Sequence, residues 1–268
     1  MTWVTDDERR SPERAYTGSR GGDQGLIGTI QAPSETVLEE LVRGGARGGF
    51  FSDLPKDVAE RLLAGAIRIT VPTGALIYRD GESPRVIVVM SGLLRVFLRS
   101  ADGRQVTVRY VRDGDVAGLL LVLGGPGPTS IQAMTSATVA ALQIDTLRSL
   151  LASDPRVARA CAEELTRQLY KALEDLSEQA FLPLRERLVL QLLDLASPGD
   201  ERHLVVRASQ QELADAIGSV REVVTRTLRQ LRDEGLIGTS RDRIVLLDPM
   251  RLSEEVGTRD PGRSRDRP

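Results

Sequence analysis

The sequence holds one cysteine, Cys161, and one histidine, His203, in 268 residues. A single cysteine excludes an intrachain disulfide and an iron–sulfur cluster held by the cysteines of one chain. A single histidine leaves too few ligands for a multi-histidine metal site or a hydrolytic zinc site. Lysine is almost missing as well. Only Lys56 and Lys171 stand among 36 cationic residues, so nearly every cation is arginine. The formal net charge is −2, which gives no global basic signature, and any case for nucleic acid has to be local. The longest apolar stretch, around Gly118 to Gly125, is far short of a bilayer span, so no membrane partner is expected. The N-terminus is charged and carries no apolar leader segment, and a cytoplasmic protein is the simple expectation. There is no Gly-rich phosphate loop and no nucleophile elbow, so neither an enzyme nor a cofactor is expected.

With 41% apolar and 28% charged residues, the chain can build more than one core. Its patterning implies an α+β protein. Residues 1–32 are rich in Gly, Arg, Asp and Ser, and 1–45 is expected to form a disordered tail, with a possible short helix over 33–45. A β-barrel or jelly-roll sensor domain is expected over 46–153. Within it, "LPKDVAERLLAGA" has helical spacing, and from Ile67 the period changes to two. "RVIVVMSGLLRVFLRSADGRQVTVRYVRDGD" reads as three strands, the second break being an Asp-Gly hairpin turn, and "TSIQAMTSATVAALQID" adds two more.

A long helix is expected over 154–182. Ala158, Ala162, Leu165, Leu169, Ala172, Leu176 and Gln179 alternate steps of four and three, which is a heptad seam. Either the helix packs only on its own domain, or the seam faces the same helix of a second copy; its length favours the second. Val157 and Leu173 lie off the seam and are expected to touch the barrel. Pro183 then turns the chain into an all-helical domain over 183–252 that ends in a small hairpin, and 253–268 is expected to be a flexible tail.

Residues 209–237, "SQQELADAIGSVREVVTRTLRQLRDEGLI", carry the clearest functional signal. Ser209 and Glu212 have capping-box spacing, and so do Ser219 and Glu222. Gly218 permits a sharp turn between two short helices. Leu213, Ala214 and Ile217 supply the inner face of the first, and Val224, Leu228 and Leu231 that of the second. This is a helix-turn-helix pattern, winged by the following hairpin. It leaves Arg221, Glu222, Thr225 and Arg226 outside, at the end that enters a major groove in such motifs. Arginine suits guanine, and glutamate suits the amino group of cytosine. Ser209, Gln210 and Ser219, at the two helix starts, complete the set expected at DNA. The bland alternative is solvated charge, with Glu222 acting only as a cap.

On these motifs the chain resembles the superfamily of the cAMP receptor protein and the fumarate–nitrate regulator, over about residues 50 to 250. The resemblance rests on "GSVREVVTRTLRQLRDEGLI", "YRDGESPRVIVVMSGLLRVF", "GRQVTVRYVRDGDVAG" and "QAFLPLRERLVLQLLDLA". It implies a homodimeric transcription regulator that binds inverted repeats of double-stranded DNA, with RNA polymerase as a further partner. The family's base-reading Arg-Glu and later Arg fall on Arg221, Glu222 and Arg226. The seam residues Leu165, Leu169, Ala172 and Leu176 would form the dimer.

The resemblance breaks at the effector pocket. Cyclic-nucleotide binders of the family carry Gly-Glu and then Arg-Ser or Arg-Thr; here the pairs are Gly118-Leu119 and Thr129-Ser130. The polar Thr-Ser pair toward the adenine is Ala172-Leu173 here. A buried phosphate without a cation is costly to desolvate, so cAMP is not the expected effector. Thr129, Ser130 and glycine amides remain a weak anion site. Arg95 or Arg109 are possible substitute cations, although a solvated barrel face is the expected place for both. Cys161 reads as a buried structural residue, with a redox thiol as the alternative, and His203 as a plain surface residue. A binding module of the same fold without DNA specificity is the rival function.

Overall fold

Alternating apolar residues punctuated by glycine turns produce three sheets among the described residues. The computed structural model of the chain describes residues 14–15, 29–31, 50–51, 54–81, 85–199, 203–240 and 243–257. Two compact units emerge, Met1–Phe97 with Arg109–Gln168, and Leu98–Val108 with Leu169–Pro268.

The first elements are β1 (Arg14–Ala15), β2 (Thr29–Gln31), α1 (Lys56–Leu63), β3 (Ile67–Val71), β4 (Leu76–Tyr78), β5 (Ile87–Ser91), β6 (Leu94–Arg99) and β7 (Gln105–Val111). Then come β8 (Val116–Ala117), α2 (Leu119–Gly124), β9 (Thr129–Ala133), β10 (Ala137–Ala141), α3 (Ile144–Ser153) and α4 (Pro155–Phe181). One sheet runs β1-β2-β3-β10-β5-β8 and the other β4-β9-β6-β7, a jelly-roll-like pair of sheets rather than a closed barrel. The five strands expected after Arg85 all form. So does the Asp-Gly turn, where Ser100 donates its amide to the Arg104 carbonyl at 2.9 Å.

Three features differ from expectation. The segment 1–45 contributes β1 and β2, which pair with each other and then with β3; the helix expected over 33–45 lies outside the described residues. The apolar run after Gly118 is the short helix α2, and α3 precedes the long helix.

The core of this unit gathers Phe50, Val58 and Leu62 with Val86, Val88, Val116, Leu147, Val157 and Cys161. Burying side chains of this size contributes about 1.5–3 kcal/mol each. The start of α4 is fixed by Asp154. Its Oδ1 accepts the Arg156 amide at 3.1 Å, Pro155 occupies the first helical position, and Arg61 Nη1 and Arg156 Nη2 close on Oδ2 at 3.1 and 2.9 Å. Arg156 also reaches Asp57 of α1 at 3.0 Å. The hydrogen bonds from Arg156 hold the Asp154 carboxyl at about 2, below the usual carboxylate range. A depressed acid contributes stability fully above its unfolded value, near 4, and loses it as pH falls toward 2. Asp154→Asn is therefore expected to lower the melting point at pH 7, with the gap to the parent closing between about pH 4 and 2. Thermal melts across that range check this; a gap that stays constant contradicts it.

The second unit contains α5 (Leu184–Leu195), β11 (Ser197–Pro198), β12 (Leu204–Val206), α6 (Gln210–Ala216), α7 (Arg221–Asp233), β13 (Ile237–Thr239), β14 (Ile244–Leu246) and α8 (Pro249–Gly257). Its sheet runs β11-β12-β14-β13, so the expected hairpin, β13–β14, belongs to four strands rather than two. Pro183 caps α5. The expected flexible tail from 253 is corrected in part: α8 continues to Gly257, with Leu252 fully buried. Glu255 is held there by Arg185, whose Nη1 also donates to Glu234 at 2.9 Å, so α5, α7 and α8 meet in one ion cluster. Leu188, Leu192, Leu213, Val224, Leu228, Leu231, Leu246 and Leu252 form the core.

Candidate nucleic-acid interface

The capping box expected at Ser209 is present. Ser209 Oγ accepts the Glu212 amide at 3.2 Å, and Glu212 Oε2 accepts the Ser209 amide at 2.7 Å. α6 closes with Ile217 and Gly218, the latter at φ +62°, a left-handed conformation that suits glycine. The Ser219 amide donates back to the Ala214 carbonyl at 2.9 Å. That bond overturns the second capping box. Ser219 is committed to ending α6, the chain needs one more residue before it can turn, and the cap of α7 is Val220 without a side-chain bond. Arg221 and Glu222 become the first two residues of the helix. Arg187 Nη1 donates to the Ile217 carbonyl at 2.8 Å and so ties α5 to the turn, a role with no signal in the apolar periodicity.

Leu213, Ala214, Ile217, Val224, Leu228 and Leu231 are all buried, as their spacing implies. Arg221, Glu222 and Arg226 are exposed on the opposite side. Among the described residues no ion pair engages any of the three. Glu222 and Arg226 stand four apart, a spacing that permits a helix ion pair, yet none forms. Their hydrogen-bonding capacity is left to whatever approaches the helix start. Thr225 is placed differently from expectation. It is half-buried, and its hydroxyl lies 2.6 Å from Gln210 Oε1 and 2.8 Å from the Arg221 carbonyl. One proton serves one acceptor at a time, and the contact with Gln210 braces α6 against α7. Ser209 is exposed beside them and Ser219 is half-buried.

The effector positions give a different picture. Gly118 caps α2 at φ +93°, and a Cβ there would meet the Arg85 carbonyl oxygen at 1.8 Å, so only glycine fits. Leu119, where the resemblance calls for glutamate, is in the core at 3% exposure. Thr129 is half-buried. Ser130 is fully buried and its Oγ is taken by Asp80, lying 3.2 Å from both the amide and the carboxylate. Ala172 and Leu173 are both exposed on α4.

Arg95 and Arg109 do not occupy a solvated face. β6 has neighbours on both edges and is covered on both faces through Phe97, so alternation cannot sort its residues into inside and outside. Arg95 is 5% exposed, donates to Gln132 Oε1 at 3.0 Å, and lies 4.7 Å from the Phe97 ring centre. Arg109 Nη2 donates to the Val116 carbonyl at 2.8 Å. Burial pulls its guanidinium below the ordinary arginine range, while Asp115 and Glu164 oppose the shift. Cys161 is buried on the inner face of α4, and its thiol is pushed up to about 11 by desolvation, the opposite of a reactive redox cysteine.

On α4, Val157, Ala160, Cys161 and Glu164 are buried. The heptad seam runs along other positions. Leu165 is half-buried, Ala172 is exposed, and Leu169 and Leu176 stand 60% and 62% exposed in the single chain.

Residues 186–255 match the Crp-like helix-turn-helix domain, and residues 68–154 match the cyclic nucleotide-binding domain. The transcriptional regulator LdrP of Thermus thermophilus is 37% identical over 188 residues, which span 68% of this chain and 93% of LdrP. This chain belongs to the Crp/Fnr family of DNA-binding transcription regulators. Another member, the CRP-like cAMP-activated global transcriptional regulator of Mycobacterium tuberculosis, is 26% identical, over 79% of this chain and 97% of its own. The solved structure of CLP, the c-di-GMP responsive global regulator of Xanthomonas campestris, shares 25% identity and a TM-score of 0.64, over 72% of this chain and all of CLP. Crp/Fnr relatives thus carry names with different effectors, and membership leaves the effector open. Among the described residues no helix is long and apolar enough to cross a membrane.

Proposed function

We propose that this Crp/Fnr regulator acts in the cytoplasm as a homodimer, with α7 of each copy in successive major grooves of an inverted repeat, one DNA turn apart. The observation that carries this reading is the outer start of α7, where Arg221, Glu222 and Arg226 are exposed and, among the described residues, in no ion pair, on a helix braced by Gln210 and Thr225. The exposed leucines of the α4 seam supply the dimer contact, and the promoter partner is RNA polymerase. Repeated selection of random duplex DNA with the full chain tests the reading. An inverted repeat with half-site centres about 10 base pairs apart is expected; recovery of no consensus would overturn it.

cAMP is not the effector on this reading. The positions that grip ribose and phosphate carry a core leucine and Thr129, and the nearby hydroxyl of Ser130 is spent on Asp80. Each missing hydrogen bond to a charged group forgoes about 1.5–3 kcal/mol, and losing two moves a micromolar ligand toward millimolar. Arg95 and Arg109 already serve Gln132 and the Val116 carbonyl, which argues against their acting as substitute cations. Calorimetric titration with cAMP is expected to show no stoichiometric heat at micromolar concentration, and operator binding is expected to be the same with and without it. A one-to-one isotherm in the low micromolar range would refute this.

A further inference from the structure

Val220 is a poor choice for the place it occupies. It caps the helix that faces DNA, at φ −112° and ψ 150°, and makes no side-chain bond to the helix. Valine is among the weakest N-cap residues, because it leaves orphan amides without an acceptor. Threonine would suit the same extended backbone, offer a hydroxyl to those amides and keep one methyl. Valine differs from it by one further methyl. That side chain stands 54% exposed, beside Arg221. The apolar neighbours in sequence are accounted for: Val224 is fully buried, and Val223 is half-buried. Val220 thus leaves more than half of an apolar residue exposed at the helix start.

We infer that Val220 reads the 5-methyl group of a thymine in the major groove, at a base pair next to the one contacted by Arg221. The chemistry is limited to few choices. Of the four bases only thymine presents an apolar group on its major-groove edge, and small apolar side chains are its usual partners. The apolar tip and the arginine beside it then divide the work: the arginine takes hydrogen-bond acceptors, and the valine takes the methyl. The side chain contributes to sequence discrimination at the expense of the helix cap. This inference rests on the DNA-reading proposed above.

Replacing thymine by deoxyuracil deletes only the methyl group, which allows a direct test. The selected operator is re-synthesised with deoxyuracil at one thymine at a time, symmetrically in both half-sites. Binding of the full chain is then measured by fluorescence anisotropy. At one position the parent protein is expected to lose about four-fold in affinity per half-site, the equivalent of one buried methyl group. Val220→Ala is expected to bind the thymine operator more weakly and to show a smaller loss on deoxyuracil at that position. Val220→Ser is expected to behave the same way on DNA while raising the unfolding midpoint, since it restores a cap. That rise separates loss of a contact from loss of fold. A parent protein indifferent to deoxyuracil at every position overturns the inference, and so does a Val220→Ala protein that keeps the parent's sensitivity. If no operator emerges from selection, it is the DNA-reading itself that fails.

Discussion

Leu169→Asp is expected to give a monomer that keeps both folded units but no longer binds inverted-repeat DNA. Leu169 is 60% exposed in the single chain, so an aspartate there costs the isolated fold little. In the proposed dimer the same position faces a partner helix, and an unpaired buried carboxylate is worth several kcal/mol against association, felt once from each copy. Two half-sites bound through one dimer gain from effective concentration, and splitting the dimer gives up about 10²–10⁴-fold in apparent affinity. Multi-angle light scattering reports the mass, and circular dichroism shows whether the units remain folded. A Leu169→Asp protein that stays a full dimer would refute the seam.

The second large effect is expected at the outer start of α7. Arg221→Ala and Arg226→Ala should each cost about 1–3 kcal/mol of specific affinity and relax preference at one base pair. Neither arginine is ion-paired among the described residues, so its removal orphans no carboxylate and the fold should be untouched. A lost phosphate contact would weaken binding on all sequences alike, whereas a lost base contact flattens the response at one position. Equilibrium binding to the operator and its single-base variants distinguishes the two. If both variants protect the same sites with unchanged affinity, the assignment fails.

Much of this architecture was legible in the residues. The i, i+4, i+7 spacing of Val224, Leu228 and Leu231 places α7, and the Ser209–Glu212 box starts α6 where expected. Strands flanked by glycine turns were equally plain, because a turn that needs a left-handed residue leaves its mark in the sequence. The misses share a cause. Ser219 and Glu222 match a capping box as text, but the Ser219 amide is used by Ala214, a bond that depends on how α6 ends. Arg95 sits in a strand covered on both faces, where period two carries no information about burial. The two-residue strands β8 and β11 take their identity from pairing with β5 and β12, which local propensity does not record. At the candidate site, the arginines were visible as charges on one helical face. That Thr225 bonds to Gln210 was not, since that partner is 15 residues away on another helix.

The burial that silences Cys161 also makes it useful. It is the sole thiol in the chain, it lies on the inner face of α4 in the core of the first unit, and its elevated proton affinity keeps it unreactive while that packing holds. An alkylating reagent can modify it only when α4 lifts from the sheets, so the labelling rate of the unaltered protein is a clock for that opening. Any compound or DNA fragment that steadies α4 would slow the clock. The chain therefore carries its own probe for ligands, with no engineered label.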